Sequence, residues 1–115
     1  MMAAKRAKLL RRMESAHRQT RAHLDRIERQ ISAKAERMTT TAKAKARSHP
    51  RGGSLWTRSD EALFRAYVDQ ISFERRGEIE ALTRKLSRQE VAIDAVRAKS
   101  TNLGLREGAD AQPAC

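Results

Sequence analysis

Apolar residues in this chain recur in two long runs, each at helical spacing. In the first, Leu10, Met13, His17, Thr20, Leu24, Ile27 and Ile31 fall at alternating steps of three and four, and Lys34, Met38 and Thr41 continue the frame with poorer residues. Such steps keep every member on one face of an α-helix, the a/d stripe of a coiled coil. In the second run, Ile79, Leu82, Leu86, Ile93 and Val96 keep the same rhythm, with Gln89 as the one polar break. Phe64, Val68 and Ile71 form a shorter stripe upstream. From Arg75 to Ile79 the step is four where three is due, a stutter beside Gly77 that predicts local unwinding or a bend there.

The helix boundaries follow from punctuation. Between about residues 3 and 46 there is neither glycine nor proline. The stretch TTTAKAKARSHPRGGS then dissolves the pattern: Pro50 disfavours helix at His49, and Gly52-Gly53 supplies the backbone freedom of a reversal. Leu55 and Trp56 follow, placed to staple the start of a second helix. Ser59 is its expected N-cap, with Asp60 and Glu61 setting negative charge at the positive end of the helix dipole. Past Lys99, two glycines and a proline predict fraying. The predicted organisation is a basic N-terminal helix over 1–48, a Pro/Gly turn over 49–58, a C-terminal helix over 59–100 and a flexible tail over 101–115. The predicted fold is all-α, two long helices forming an antiparallel coiled-coil hairpin. A helix of about forty residues at ~1.5 Å per residue is roughly 60 Å long, too extended to bury its stripe without a partner. Because the stripes hold few large side chains, the hairpin is expected to be marginal alone and stabilised by a partner or by self-association.

Composition sharpens this picture. Of 115 residues, 34% are charged and 3% aromatic, which suits long helices and disfavours a thick globular core. The net charge of +11 is uneven: residues 1–51 hold 15 Lys+Arg against 4 Asp+Glu, whereas residues 52–115 balance at 10 against 10. The single cysteine, Cys115, allows no internal disulfide and fits a reducing, cytoplasmic setting, although its thiol could bridge two chains on oxidation. No apolar run approaches the ~18 residues that cross a bilayer. The acid-free opening Met1 to Met13 has the composition of an organelle transit peptide, but the heptad pattern runs on past any usual cleavage point.

Chemical constellations are missing. His17, His23 and His49 have no cysteine or carboxylate at ligand spacing, so no metal site is expected. His17 and Thr20 read as polar members of the stripe that fix register. Gly52-Gly53 lacks the context of a phosphate loop, and no nucleophile is paired with a base. Glu80 and Arg84 exemplify a solvated helix face with i,i+4 pairing. The expectation is a binding protein, not an enzyme, with no catalytic residue and no cofactor.

The binding readings start from the cations Lys5, Arg6, Lys8, Arg11, Arg12, Arg18, Arg21, Arg26 and Arg29 along the first helix. They could neutralise nucleic-acid phosphates without sequence preference, as in an accessory factor of DNA mobilisation or packaging, but no stacking aromatics or groove-reading motif accompany them. An acidic protein surface is the other partner this charge suits. A virion or organelle assembly subunit ordered by its neighbours is a third reading.

The order of features around the turn supports a more specific expectation. A leucine- and arginine-rich opening, LLRRMESAHRQTRAHLDRIERQI, is followed by a polar loop, then Trp56, then Phe64, Val68 and Ile71. In this the chain resembles the helical-hairpin proteins of type III export systems, flagellar FliJ and injectisome YscO. The resemblance covers roughly residues 8–100. It implies a stalk in the hexameric export ATPase that also docks on the export gate and handles chaperones, in the cytoplasm or peripherally at the inner-membrane export apparatus. It further implies that the helix ends near Leu9 to Met13, with Arg11 and Arg12, and near Val96 face the ATPase ring, Arg18 being a further partner-binding candidate on the same basic helix. Phe64, Val68 and Ile71, with Trp56 ahead of them, would form the gate-binding patch, unless those three simply pack the hairpin.

Overall fold

The computed structural model describes residues 2–46 and 55–111, with side chains for residues 3–46 and 55–101. The reversal expected at Pro50 and Gly52-Gly53 and the terminal Cys115 lie outside the described residues. Three helices account for nearly everything else: α1 (Met2–Ala46), α2 (Arg58–Glu74) and α3 (Arg76–Ala111), with no strand among the described residues. The all-α expectation is met at this level.

Residues 23–81 form one compact unit, and residues 1–22 with 82–115 form another. In the first, Ile27, Ile31, Ala35 and Thr39 of α1 are buried, as are Asp60 and Ile71 of α2. Contacts between helices here run in opposite senses along the chain: Lys43 meets Asp60, and Gln30 accepts a hydrogen bond from Arg75 at 2.9 Å. In the other unit, Thr20 of α1 and Leu86 and Ile93 of α3 are buried. Glu14 pairs with Arg97 and His17 with Glu90, again in opposite senses.

The stripes match the expected positions up to Ile31 and from Phe64 to Val96, where every member is buried or half-buried. Beyond Ile31 the expected frame of Lys34, Met38 and Thr41 gives way. Lys34 and Thr41 are exposed, Met38 is half-buried, and Ala35 and Thr39 take the interior. Burying Lys34 would strand a charge, whereas Ala35 fits without cost and the Thr39 hydroxyl is satisfied by donating to the Ala35 carbonyl at 2.8 Å. Consecutive steps of four at Ile27, Ile31, Ala35 and Thr39 move the stripe around the helix, so α1 leaves the heptad frame within the same unit in which its partner helix does.

Three boundaries bear on the expectations, and the last two differ from them. The second helix is not continuous: it breaks at Arg75, whose backbone lies at φ −100°, ψ 8°. This is the local unwinding expected near Gly77 from the stutter; the glycine itself has no positive φ, and a Cβ there would meet nothing within 4 Å. The break is shallow, because the Arg75 amide still donates to Ile71 and its carbonyl accepts from Ile79. It falls where the stutter begins and where a half-buried arginine, held by Gln30 and Glu78, occupies a stripe position. The N-cap of α2 is Thr57, not Ser59. Thr57 and Asp60 form a reciprocal capping box, in which Asp60 N–H donates to Thr57 Oγ1 at 3.1 Å and Thr57 N–H donates to Asp60 Oδ2 at 2.8 Å. Finally, α3 runs to Ala111 instead of stopping near residue 100. Two glycines at ~1 kcal/mol each weaken a helix without forbidding it, and Pro113 is the first residue that does.

Gln89 Oε1 is buried with no hydrogen-bond partner among the described residues. Leaving such an acceptor unpaired costs about 1–3 kcal/mol, so Gln89→Leu is expected to raise the thermal midpoint, measured by circular dichroism at 222 nm. Gly77→Ala is expected to stabilise by about 0.5–1 kcal/mol, since the site is helical and open. A loss of stability in Gly77→Ala would show instead that the chain needs glycine at the break.

Candidate functional site

Two surfaces carry the residues singled out from sequence, one in each unit. On residues 1–22, Leu9 is 41% exposed and Arg11, Arg12 and Arg18 are exposed. Two of the carboxylates nearby are engaged elsewhere: Glu14 accepts from Arg97 at 3.0 Å and Glu90 faces His17 Nε2 at 3.1 Å. Among the described residues, Lys5, Lys8, Arg11, Arg12 and Arg18 therefore have no carboxylate within ion-pair distance. At 3.6 residues per turn these five cations fall within one arc of roughly 140° on α1, opposite the apolar stripe, and so form a face and not a pocket. Arg18 does border a shallow groove with Glu14, His17, Glu90, Ile93, Asp94 and Arg97, whose signs are mixed.

The second surface lies where the last turn of α1 meets the start of α2. Lys43 Nζ approaches Asp60 Oδ2 at 2.8 Å, both side chains being 12% exposed, and Lys43 also donates to the Leu55 carbonyl. Its ammonium beside the carboxylate, with the Thr57 amide, lowers the Asp60 pKa from 3.8 to about 2. Trp56 precedes the cap. Its ring meets Phe64 in a T-shaped contact, centroids 6.1 Å apart, and its Nε1–H donates to Glu61 Oε2 at 2.7 Å. That bond, with a second from Arg65, lowers the Glu61 pKa. The expected staple of the α2 start is thus formed by Trp56, through a hydrogen bond to Glu61 and a ring contact with Phe64, while Leu55 stays 80% exposed.

Of the patch expected to bind an export gate, Trp56 and Phe64 come together, and Val68 is half-buried. Ile71 is 3% exposed and belongs to the interior of its unit, so it offers no surface while that unit is closed. The exposed Phe73 was not singled out, and the Arg76 guanidinium covers its ring at 4.0 Å. The Lys43–Asp60 pair was also missed. The Thr-x-x-Asp spacing ahead of an apolar run was a usable signal for the cap, but no local pattern couples residue 43 to residue 60. Among the described residues, no helix is long and apolar enough to cross a membrane.

The depressed Asp60 pKa fixes a sign. A carboxylate that ionises more readily in the folded state contributes stability above its unfolded pKa, near 3.8, and loses it as pH falls toward about 2. Asp60→Asn is expected to lower the thermal midpoint at neutral pH, with the gap to the parent chain closing between about pH 4 and pH 2. A gap independent of pH would mean the charge on Asp60 is immaterial. No family model, curated protein or solved structure matches the chain.

Proposed function

We propose that this chain is a non-enzymatic helical adaptor that docks through the basic face of α1 on an acidic surface of a larger assembly. The observation that carries the reading is the set of exposed α1 cations with no carboxylate within ion-pair distance among the described residues. Burying a stripe does not require them, and an excess of +11 is more than solubility needs. In the full form of the proposal, the helices pair as an antiparallel coiled-coil hairpin, which the opposite-sense contacts within each unit support. The hairpin then serves as the stalk of a type III export ATPase, as the resemblance to FliJ and YscO implies. Exposed ion pairs worth ~0–1 kcal/mol each suit such a part, since they let a stiff body touch several ring subunits without locking to one. Docking on an export gate would use Trp56 and Phe64, while Ile71 stays in the interior of its unit.

The same uncompensated cations favour a second reading, binding to nucleic acid without sequence preference. The two separate experimentally. Stoichiometric chain added to the cognate hexameric export ATPase is expected to raise its turnover and promote ring assembly. Replacing Arg11, Arg12 and Arg18 with glutamate should abolish the effect while helicity stays unchanged. If the parent chain alters neither turnover nor assembly, the stalk role is lost. Retention on duplex DNA above physiological salt, with a log–log slope of about −0.9 per phosphate contacted, would replace it with the nucleic-acid reading.

A further inference from the structure

The junction of α1 and α2 presents apolar and cationic surface that neither capping nor packing requires. Leu55 is 80% exposed and Trp56 45% exposed, side by side ahead of the cap. Trp56 is held in place, its Nε1–H donating to Glu61 and its ring meeting Phe64. Because the only polar atom of the indole is engaged within the chain, the exposed part of the ring is hydrocarbon. The negative charges at this junction are also engaged: Asp60 by Lys43, and Glu61 by Trp56 and Arg65. Lys45 and Arg58 remain exposed. Among the described residues of 43–46 and 55–65, four Lys or Arg stand against two carboxylates, and both carboxylates are engaged.

We propose that this junction docks on the surface of an anionic phospholipid bilayer, with Leu55 and Trp56 entering the headgroup–acyl boundary and Lys45 and Arg58 facing lipid phosphates. The charge balance selects an anionic surface, and the exposed leucine selects among anionic surfaces. Nucleic acid offers phosphates but no hydrocarbon for Leu55, whereas the bilayer boundary supplies both in one layer. Tryptophan is enriched at that boundary for its amphipathic ring, and with the Trp56 Nε1–H already taken by Glu61 it is the apolar body that would enter. A single aliphatic and one indole beside a few cations give reversible, salt-sensitive attachment and no insertion of a helix. The adaptor reading is carried by α1 cations within residues 1–22, which this proposal does not use; only its gate contact shares Trp56 with the bilayer, so failure at the vesicle surface leaves the α1 docking standing.

Trp56 is the only tryptophan of the chain, which makes its emission a reporter of this surface alone. The full chain is mixed with vesicles of phosphatidylcholine and phosphatidylglycerol, or of phosphatidylcholine alone. Emission should shift to the blue and iodide quenching should fall with the anionic vesicles only, with reversal in high salt. Leu55→Asp and Arg58→Glu, both at exposed positions, should each weaken co-sedimentation by about tenfold while circular dichroism stays unchanged. Co-sedimentation of Leu55→Asp equal to the parent chain would overturn the proposal by assigning lipid binding to the α1 cations. So would an emission shift with duplex DNA and none with vesicles.

Discussion

Each helix of this chain has one apolar stripe a single residue wide, and that scarcity governs everything else. With 3% aromatic residues and much alanine, no element can bury enough surface to be stable unaided, so helices must lie against one another in whatever frame brings the stripes together. Where large residues are present, as at Ile27, Ile31, Leu86 and Ile93, they are buried. Where they run out, the interior is completed by Ala35, by Thr39 bonding to its own backbone, and by the polar set of Thr20 and Gln89. A polar residue in a stripe lowers stability and narrows the acceptable alignments, which is the exchange a thin interface needs most.

Scarcity also explains the chemistry at the junction of α1 and α2. The Thr57–Asp60 box closes two backbone donors at the start of α2, and the same Asp60 carboxylate receives Lys43 from the end of α1. One acid therefore caps a helix and ties it to its neighbour. A lysine in the last turn of α1 is doubly placed, since it also faces the negative end of that helix's dipole. Breaking a partly buried pair of this kind leaves a charge without its partner, so the tie is stronger than a surface ion pair.

The helical content, the two stripes and the uneven charge were legible from spacing alone, because periodicity reports which face a residue occupies. The frame beyond Ile31 was not, since Lys34 and Ala35 are both compatible with a helix and only the burial cost of an ammonium chooses between them. The backbone yields at Arg75, two residues before Gly77, where the stutter begins and a charged residue takes a stripe position. The stutter, which is a property of the pairing, was the better guide than the glycine, which is a property of one residue. At the functional surfaces, exposure of the α1 cations followed from their positions in the repeat. The Lys43–Asp60 pair did not, because it joins residues across a segment whose path no local rule predicts. Ile71 shows the converse: an apolar residue in a recognisable run is equally at home in a patch or an interior, and burial decides.

The distribution of rings has an optical consequence. Trp56, Phe64, Tyr67 and Phe73 are all the phenyl, phenol and indole groups in the molecule, and all lie within residues 23–81. Near-ultraviolet absorbance and fluorescence are therefore blind to the other unit, whose melting only a backbone signal records. Divergent traces from the two kinds of spectroscopy would mean that residues 1–22 and 82–115 come apart on their own. Coincident traces would mean that the thin stripe holds the chain in a single cooperative transition.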